Sequence, residues 1–135
     1  MKKIILLAAV ILCGAATLAA QDRANLAQYL NIRSTGAPSL SPDASRYAFL
    51  WNVTGTNQIW VCKTDGGFPE QITFFDDRVD FAQWSPAADL IIFGKSIGGN
   101  EKTQLYSIKP DGSALTPLTN NPKAIHDFGG FSRDG

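Results

Sequence analysis

Residues 85–119 read SPAADLIIFGKSIGGNEKTQLYSIKPDGSALTPLT, and residues 41–73 read SPDASRYAFLWNVTGTNQIWVCKTDGGFPEQIT. The two stretches carry the same parts in the same order. Ser-Pro opens a turn, and an apolar run comes after it (Tyr47 to Val53; Leu90 to Phe93). A Gly/Asn/Thr link leads to a Gln-apolar-aromatic strand (Gln58-Ile59-Trp60; Gln104-Leu105-Tyr106). An Asp-Gly turn comes next (Asp65-Gly66; Asp111-Gly112), and an apolar-Thr pair closes the unit (Ile72-Thr73; Leu118-Thr119). Ser41 and Ser85 are 44 residues apart, and Gln58 and Gln104 are 46 apart. A third copy opens at Ser132-Arg133-Asp134-Gly135, 47 residues after Ser85. A period in the forties with several short strands per period is the pattern of a β-propeller blade.

The local chemistry agrees. Pro42 and Pro86 fix φ near the value that a tight turn needs at its second position. Asp65-Gly66 and Asp111-Gly112 offer positive-φ residues to two-residue hairpins. Tyr47, Phe49, Trp51 and Val53 alternate with Ala48, Leu50 and Asn52, the pattern of a half-buried strand. Leu90-Ile91-Ile92-Phe93 has no polar alternation, so both its faces are expected to be covered, as in a strand packed between neighbouring blades. A β-sandwich also has evenly spaced short strands, but it needs no self-similarity at 44–47 residues. An aromatic residue stands just before two of the turns (Trp84, Phe131) and Leu40 before the first. That position is expected to pack between blades. The fold class is therefore all-β: a partial propeller of two blades, about 36–75 and 76–121, and the start of a third, 122–135.

Residues 1–20 have the layout of a secretory signal peptide. Lys2 and Lys3 form the basic start, Ile4 to Leu12 the apolar core, and Thr17-Leu18-Ala19-Ala20 the small-residue cleavage zone. The competing membrane anchor has an apolar run of 17 residues, Ile4 to Ala20, at the bottom of the spanning range of about 17–25. Its Ala-rich end favours cleavage, before Gln21. Leu12 is too large to precede a lipid-attachment cysteine at Cys13. The sequence thus points to a periplasmic or secreted protein of bacterial type, which meets the membrane only through its signal. Residues 21–35 read as a helical entry segment. Asp22 can cap it, Leu26, Tyr29 and Leu30 share a face, and Ser34-Thr35-Gly36-Ala37-Pro38 ends it.

Of 12 Lys and Arg, removing Lys2 and Lys3 leaves 10 against 12 Asp and Glu, a net of −2. No basic stripe survives, and a nucleic-acid partner is not expected. Cys62 is the one cysteine beyond the signal. It sits among Trp60 and Val61 and reads as a buried structural thiol.

The runs SPDASRYAF (41–49), QIWVCKTDGG (58–67) and EQITF (70–74) resemble blades of S9-family serine peptidases, the prolyl oligopeptidase, dipeptidyl-peptidase and acylaminoacyl-peptidase group. They are also similar to blades of TolB-type, WD40-like propellers. FPEQITFFDDRV (68–79) and AIHDFGG (124–130) point to the peptidase side, and the resemblance covers about residues 24–135. Ala44, and Ala87-Ala88, depart from the family's usual Ser-Pro-Asp-Gly turn, and those turns are expected to take another geometry. The resemblance implies a Ser-Asp-His triad in a C-terminal α/β-hydrolase domain, with the serine in a Gly-x-Ser-x-Gly elbow.

That elbow is missing here. Gly130-Phe131-Ser132-Arg133-Asp134 comes near, but Asp134 stands where glycine is required, and Ser132 aligns with Ser41 and Ser85 of the blade turns. His126 is the single histidine, with Asp127 beside it. It reads as a loop or strand-start residue, not as part of a triad with Ser132. Asp76, Asp77 and Asp80 lack EF-hand spacing and read as a solvated inter-blade loop. Gly98-Gly99-Asn100-Glu101-Lys102 lacks the Gly-Lys-Ser/Thr of a phosphate loop and reads as a link. Asn52-Val53-Thr54 matches a glycosylation acceptor but falls in an expected strand. No catalytic, cofactor-binding or metal-binding residue is assigned, and no cofactor is expected.

Two blades and part of a third cannot close a ring of about four to eight. The chain is accordingly expected to be the N-terminal piece of a longer protein. Its partners would be the remaining blades and the hydrolase domain of that protein, and short peptides its substrates. The alternatives are a non-enzymatic TolB-like propeller binding a protein partner in the cell envelope, and a propeller module that binds carbohydrate or another ligand.

Overall fold

The computed structural model describes residues 30–132. The chain divides into one unit of Met1–Ile32 and another of Arg33–Gly135. The signal peptide, Cys13, most of the expected entry helix and the last three residues lie outside the described part. Leu30 is helical, and the chain has left the helix by Asn31, short of the Arg33 expected.

The second unit holds two four-stranded antiparallel sheets, each in simple sequential order. Blade 1 comprises β1 (Thr35–Leu40), β2 (Arg46–Trp51), β3 (Gln58–Lys63) and β4 (Glu70–Gln71). Blade 2 comprises β5 (Val79–Trp84), β6 (Ile91–Lys95), β7 (Gln104–Ile108) and β8 (Thr116–Pro117). A blade is thus one up-and-down meander of contiguous chain, as the repeat requires. The links explain the uneven period. The link between β2 and β3 spans residues 52–57, and that between β6 and β7 spans 96–103, two residues more.

Strand β1 lies in the stretch where the sequence shows a helix break leading into the first blade: Thr35 to Leu40 pair with β2. The pairing shifts register between Gly36 and Ser39, where Ala37 has φ 52°. A bulge lets a Gly-Ala-Pro stretch sit in an edge strand without offering Pro38 a ladder bond it cannot make. β5 carries the matching irregularity between Val79 and Phe81.

Three smaller expectations also change. β2 ends at Trp51, so Val53 and the Asn52-Val53-Thr54 acceptor lie in the next link. The Asp-Gly pairs do not form two-residue hairpins. The connections run over 64–69 and 109–115, and the glycines, not the aspartates, take positive φ (Gly66 107°, Gly112 81°). The Ser-Pro turns share one closure, Ser41 N to Arg46 O at 2.9 Å and Ser85 N to Leu90 O at 2.8 Å. Within it, Ala44 keeps the left-handed conformation of the usual glycine (φ 55°), while Ala87 and Ala88 do not. The expected change of geometry is therefore confined to the second turn.

The first turn tolerates Ala44 because its side chains bind it tightly. Ser41 Oγ donates to Asp43 at 2.6 Å and accepts from Arg46 N at 3.0 Å. Asp43 also accepts from Ser45 N and Ser45 Oγ. A left-handed alanine costs about 1–2 kcal/mol, and glycine returns some of that as unfolded-state entropy. Ala44→Gly is expected to raise stability by about 0.5–1 kcal/mol, read as a higher urea midpoint at unchanged m. The Ser41 hydroxyl, followed by the Ser45 amide and hydroxyl, lowers the Asp43 carboxyl from 3.8 to about 2. A lowered folded-state value means the turn is stabilised above the unfolded value and loses this contribution as pH falls from about 4 through 2. Proton titration by NMR should follow Asp43 through that window, and Asp43→Asn should flatten that part of the stability profile.

The core lies between the blades. Ala48, Leu50, Ile59, Val61 and Ile72 of blade 1 pack with Val79, Ala82, Trp84, Ile91, Phe93 and Ile108 of blade 2. Every residue of β6 is buried, as its unbroken apolar run implied. In β2 the residues that join this core are Ala48 and Leu50 rather than the larger Tyr47, Phe49 and Trp51. Those rings form a row of their own on the other face, extended by Trp60 (Trp51–Trp60 centroids 5.1 Å apart). Trp84 is buried as expected, but Leu40 at the matching position is 58% exposed. On the far side of blade 2 the Phe81 ring lies over Gly94, where a Cβ would come 2.3 Å from Phe81 Cε1. Glycine is the residue that admits this ring. Phe128 stacks on Phe81 and Phe131 meets Phe128 edge to face, so residues 122–132 begin to cover that face.

Candidate functional site

Two repeated side chains fasten each blade to the connection that leaves it. Gln58, 2% exposed, donates from Nε2 to the Phe75 and Asp77 carbonyls and accepts from Phe75 N at 3.0 Å. Gln104 donates to the Asn121 and Ala124 carbonyls and accepts from Asn121 N at 2.9 Å. Thr73 and Thr119 hydroxyls accept from Ile59 N and Leu105 N. A buried amide can satisfy several backbone groups at once where the connecting chain leaves the ladder. The connections close in the same way, Val79 N to Asn57 O and His126 N to Thr103 O. His126 therefore occupies the place of Val79, the first residue of an inner strand.

The ends of the blades near these connections form a polar cleft of about 620 Å³. Asn57 comes from the first link, Arg78 and Asp80 from the start of β5, and Ser96, Glu101 and Thr103 from the second link. Arg78 Nε binds Asp80 at 2.9 Å, and Thr103 Oγ1 donates to the other Asp80 oxygen at 3.2 Å. Asp77 accepts from Gly98 N at 2.9 Å and faces Lys95 Nζ at 3.8 Å. So Asp77 and Asp80 are structural anchors, while Asp76 is the solvated one of the three. Among the described residues no cluster of His, Cys, Asp or Glu could hold a metal ion. Gly98-Gly99-Asn100-Glu101-Lys102 turns the link with three positive-φ residues (60°, 68° and, at Glu101, 56°).

Nothing in the sequence singles out Lys95. It is 8% exposed, with its ammonium 4.9 Å from the Phe75 ring centre and 5.7 Å from that of Tyr106. The two rings and Asp77 compensate its burial. A second cross-blade contact joins Arg46 to both Asp89 oxygens and to the Trp84 face, 5.1 Å from its centre. It is largely exposed and is worth little by itself.

A Ser-His-Asp triad needs a histidine whose Nδ1 is held by a carboxylate. His126 Nδ1 is buried with no hydrogen-bond partner, so Asp127 does not orient it. His126, Asp127 and Ser132 lie on the coil after blade 2, in the places the repeat gives them. Cys62 is buried and its thiol points to the Gly67 carbonyl at 3.7 Å. The thiol, with burial, pushes the Tyr47 phenol above its ordinary value. The cleft is polar and open to a polar group.

Two stacked meanders tied by repeated Gln and Thr side chains define a β-propeller segment. The chain matches the family described as the dipeptidyl peptidase IV (DPP IV) N-terminal region over residues 8–132, and it belongs to that family. Solved structures agree on the fold. A putative TolB from Agrobacterium tumefaciens is similar at 25% identity and TM-score 0.58, over 63% of this chain and 33% of that one. TolB from Acinetobacter baumannii is similar at 23% identity and TM-score 0.54, over 64% and 21%. This chain thus corresponds to about a third and a fifth of their lengths. No match is found among curated proteins.

Proposed function

We propose that this chain is the N-terminal propeller segment of a secreted or periplasmic S9-type serine peptidase. In that protein the blades screen a hydrolase domain carried elsewhere in the polypeptide, admitting short, flexible peptides and turning away folded proteins. The observation that carries the reading is the family match across residues 8–132, together with a described chain that holds blades and no oriented histidine. The Lys2-Lys3 start and the apolar run behind it support export. A fluorophosphonate probe on the full-length gene product tests the reading. Covalent labelling of a serine outside residues 1–135 is the expected result; an unlabelled, folded product would end it. Labelling within residues 1–135 would overturn the reading as well, by placing the nucleophile on this segment.

The similarity to TolB structures favours a second reading, a propeller without enzymatic activity that binds a protein partner in the cell envelope. It gains if the folded full-length product does not label.

A further inference from the structure

The two Asp-Gly pairs share a sequence and differ in how firmly the fold holds them. In blade 2 both members are engaged. Asp111 Oδ1 accepts from Ser113 N at 2.9 Å, and Ser113, through its side chain and then its amide, lowers this carboxyl from its ordinary value. Gly112 N donates to Lys109 O at 2.9 Å. Gly112 also lies against blade 1, where a Cβ would come 3.2 Å from the Ile72 carbonyl oxygen. In blade 1 each restraint is weaker or missing. The Asp65 carboxyl meets no donor among the described residues. Gly66 N reaches Lys63 O only at 3.3 Å. A Cβ on Gly66 would meet nothing within 4 Å, and Asp65, Gly66 and Gly67 are all exposed.

We propose that Asp65 is a site of spontaneous backbone modification, the conversion of aspartate to isoaspartate through a cyclic imide, and that the fold protects Asp111 from the same reaction. The Gly66 amide nitrogen attacks Asp65 Cγ. The N–Cγ bond forms, and the carboxyl hydroxyl leaves with the amide proton as water. Water then opens the ring. Cleavage of the N–Cγ bond restores aspartate. Cleavage between the nitrogen and the main-chain carbonyl carbon leaves the chain running through Cγ, with that carbonyl now a free carboxylate. One water is lost and one regained, so no oxidant or cofactor takes part. The attack needs a nitrogen released from its carbonyl partner, a carboxyl free to turn onto it, and an unobstructed following residue. Glycine meets the last need in both turns. At residue 65 only one long hydrogen bond has to break, whereas at residue 111 two good ones do.

The product lengthens the main chain of the 64–69 connection just before Gly67, whose carbonyl faces the Cys62 thiol at 3.7 Å. It also presents a main-chain carboxylate that an isoaspartate-directed carboxyl methyltransferase can esterify, the class of reaction that would consume it. The site lies wholly within blade 1 and depends on no catalytic domain.

The test holds the full-length gene product at neutral pH and digests samples with trypsin over time. Cleavage after Lys63 and Arg78 releases residues 64–78. Cleavage after Lys102 and Lys123 releases 103–123, because Pro110 protects Lys109. Fragmentation that separates isoaspartate from aspartate reads both sites. Isoaspartate is expected to accumulate at residue 65 about tenfold faster than at 111, the factor for the additional hydrogen bond that must break. In urea, which releases both turns, the two rates should converge. Asp65→Glu keeps a carboxyl but needs a larger ring, and it should remove the modification from residues 64–78. Equal rates in the folded protein, a faster rate at 111, or a difference that survives in urea overturns the proposal.

Discussion

Phe93→Ala is expected to lower the free energy of unfolding by about 3–5 kcal/mol, the cost of emptying a large aromatic site in a closed core. Phe93 is fully buried, stacked between Phe75 (5.8 Å) and Tyr106 (5.3 Å). Its ring is the central filling between the two blades, and the surrounding strands are fixed by their ladders and cannot collapse into the gap. Urea unfolding measures the effect. Phe68→Ala serves as the internal control: Phe68 is 98% exposed, and a surface change of that kind should stay within about 0.5 kcal/mol. Equal effects at the two positions would contradict packing of the blades against each other.

Gln58→Ala should cost about 3 kcal/mol, since each buried polar group left without its partner costs about 1–3 kcal/mol. The substitution strands the carbonyls of Phe75 and Asp77 and the amide of Phe75. Gln58→Glu separates bonding from packing. A carboxylate keeps the size and can still accept from Phe75 N, but it cannot donate to two carbonyls. It should be nearly as damaging. Amide hydrogen exchange at Phe75 is the local readout, and it should quicken in both variants. Gln104→Ala should act in the same way on the Asn121–Ala124 segment.

The repeat was legible because its parts are chemically specified: turns at Ser-Pro, strands of β-branched and aromatic residues, and a glutamine and a threonine at fixed offsets. What those two polar residues do was not legible, because a sequence shows that Gln58 recurs but not which carbonyls it meets. Strand β1 was hidden by its own composition. Thr35 to Leu40 contains Gly, Pro and Ser, and pairing with β2 through a bulge overrode local preference. The orientation of β2 was ambiguous for a different reason. Both of its faces are apolar, so alternation marks two sides without saying which neighbour each one meets. The burial of Lys95 was not legible because Phe75, Tyr106 and Asp77 converge on it from elsewhere in the chain. The cleft was equally invisible, since Asn57, Arg78 and Glu101 come from three separate connections.

The Gln–Thr fastening also bears on how such chains change in number of units. Each fastening is complete within one stretch of chain, from a glutamine to the entry of the next inner strand, and it tolerates a connection one residue longer (Val79 N to Asn57 O; His126 N to Thr103 O). Copying or deleting one whole module in the gene would therefore regenerate an intact joint at the new boundary, with no fresh contact to be invented.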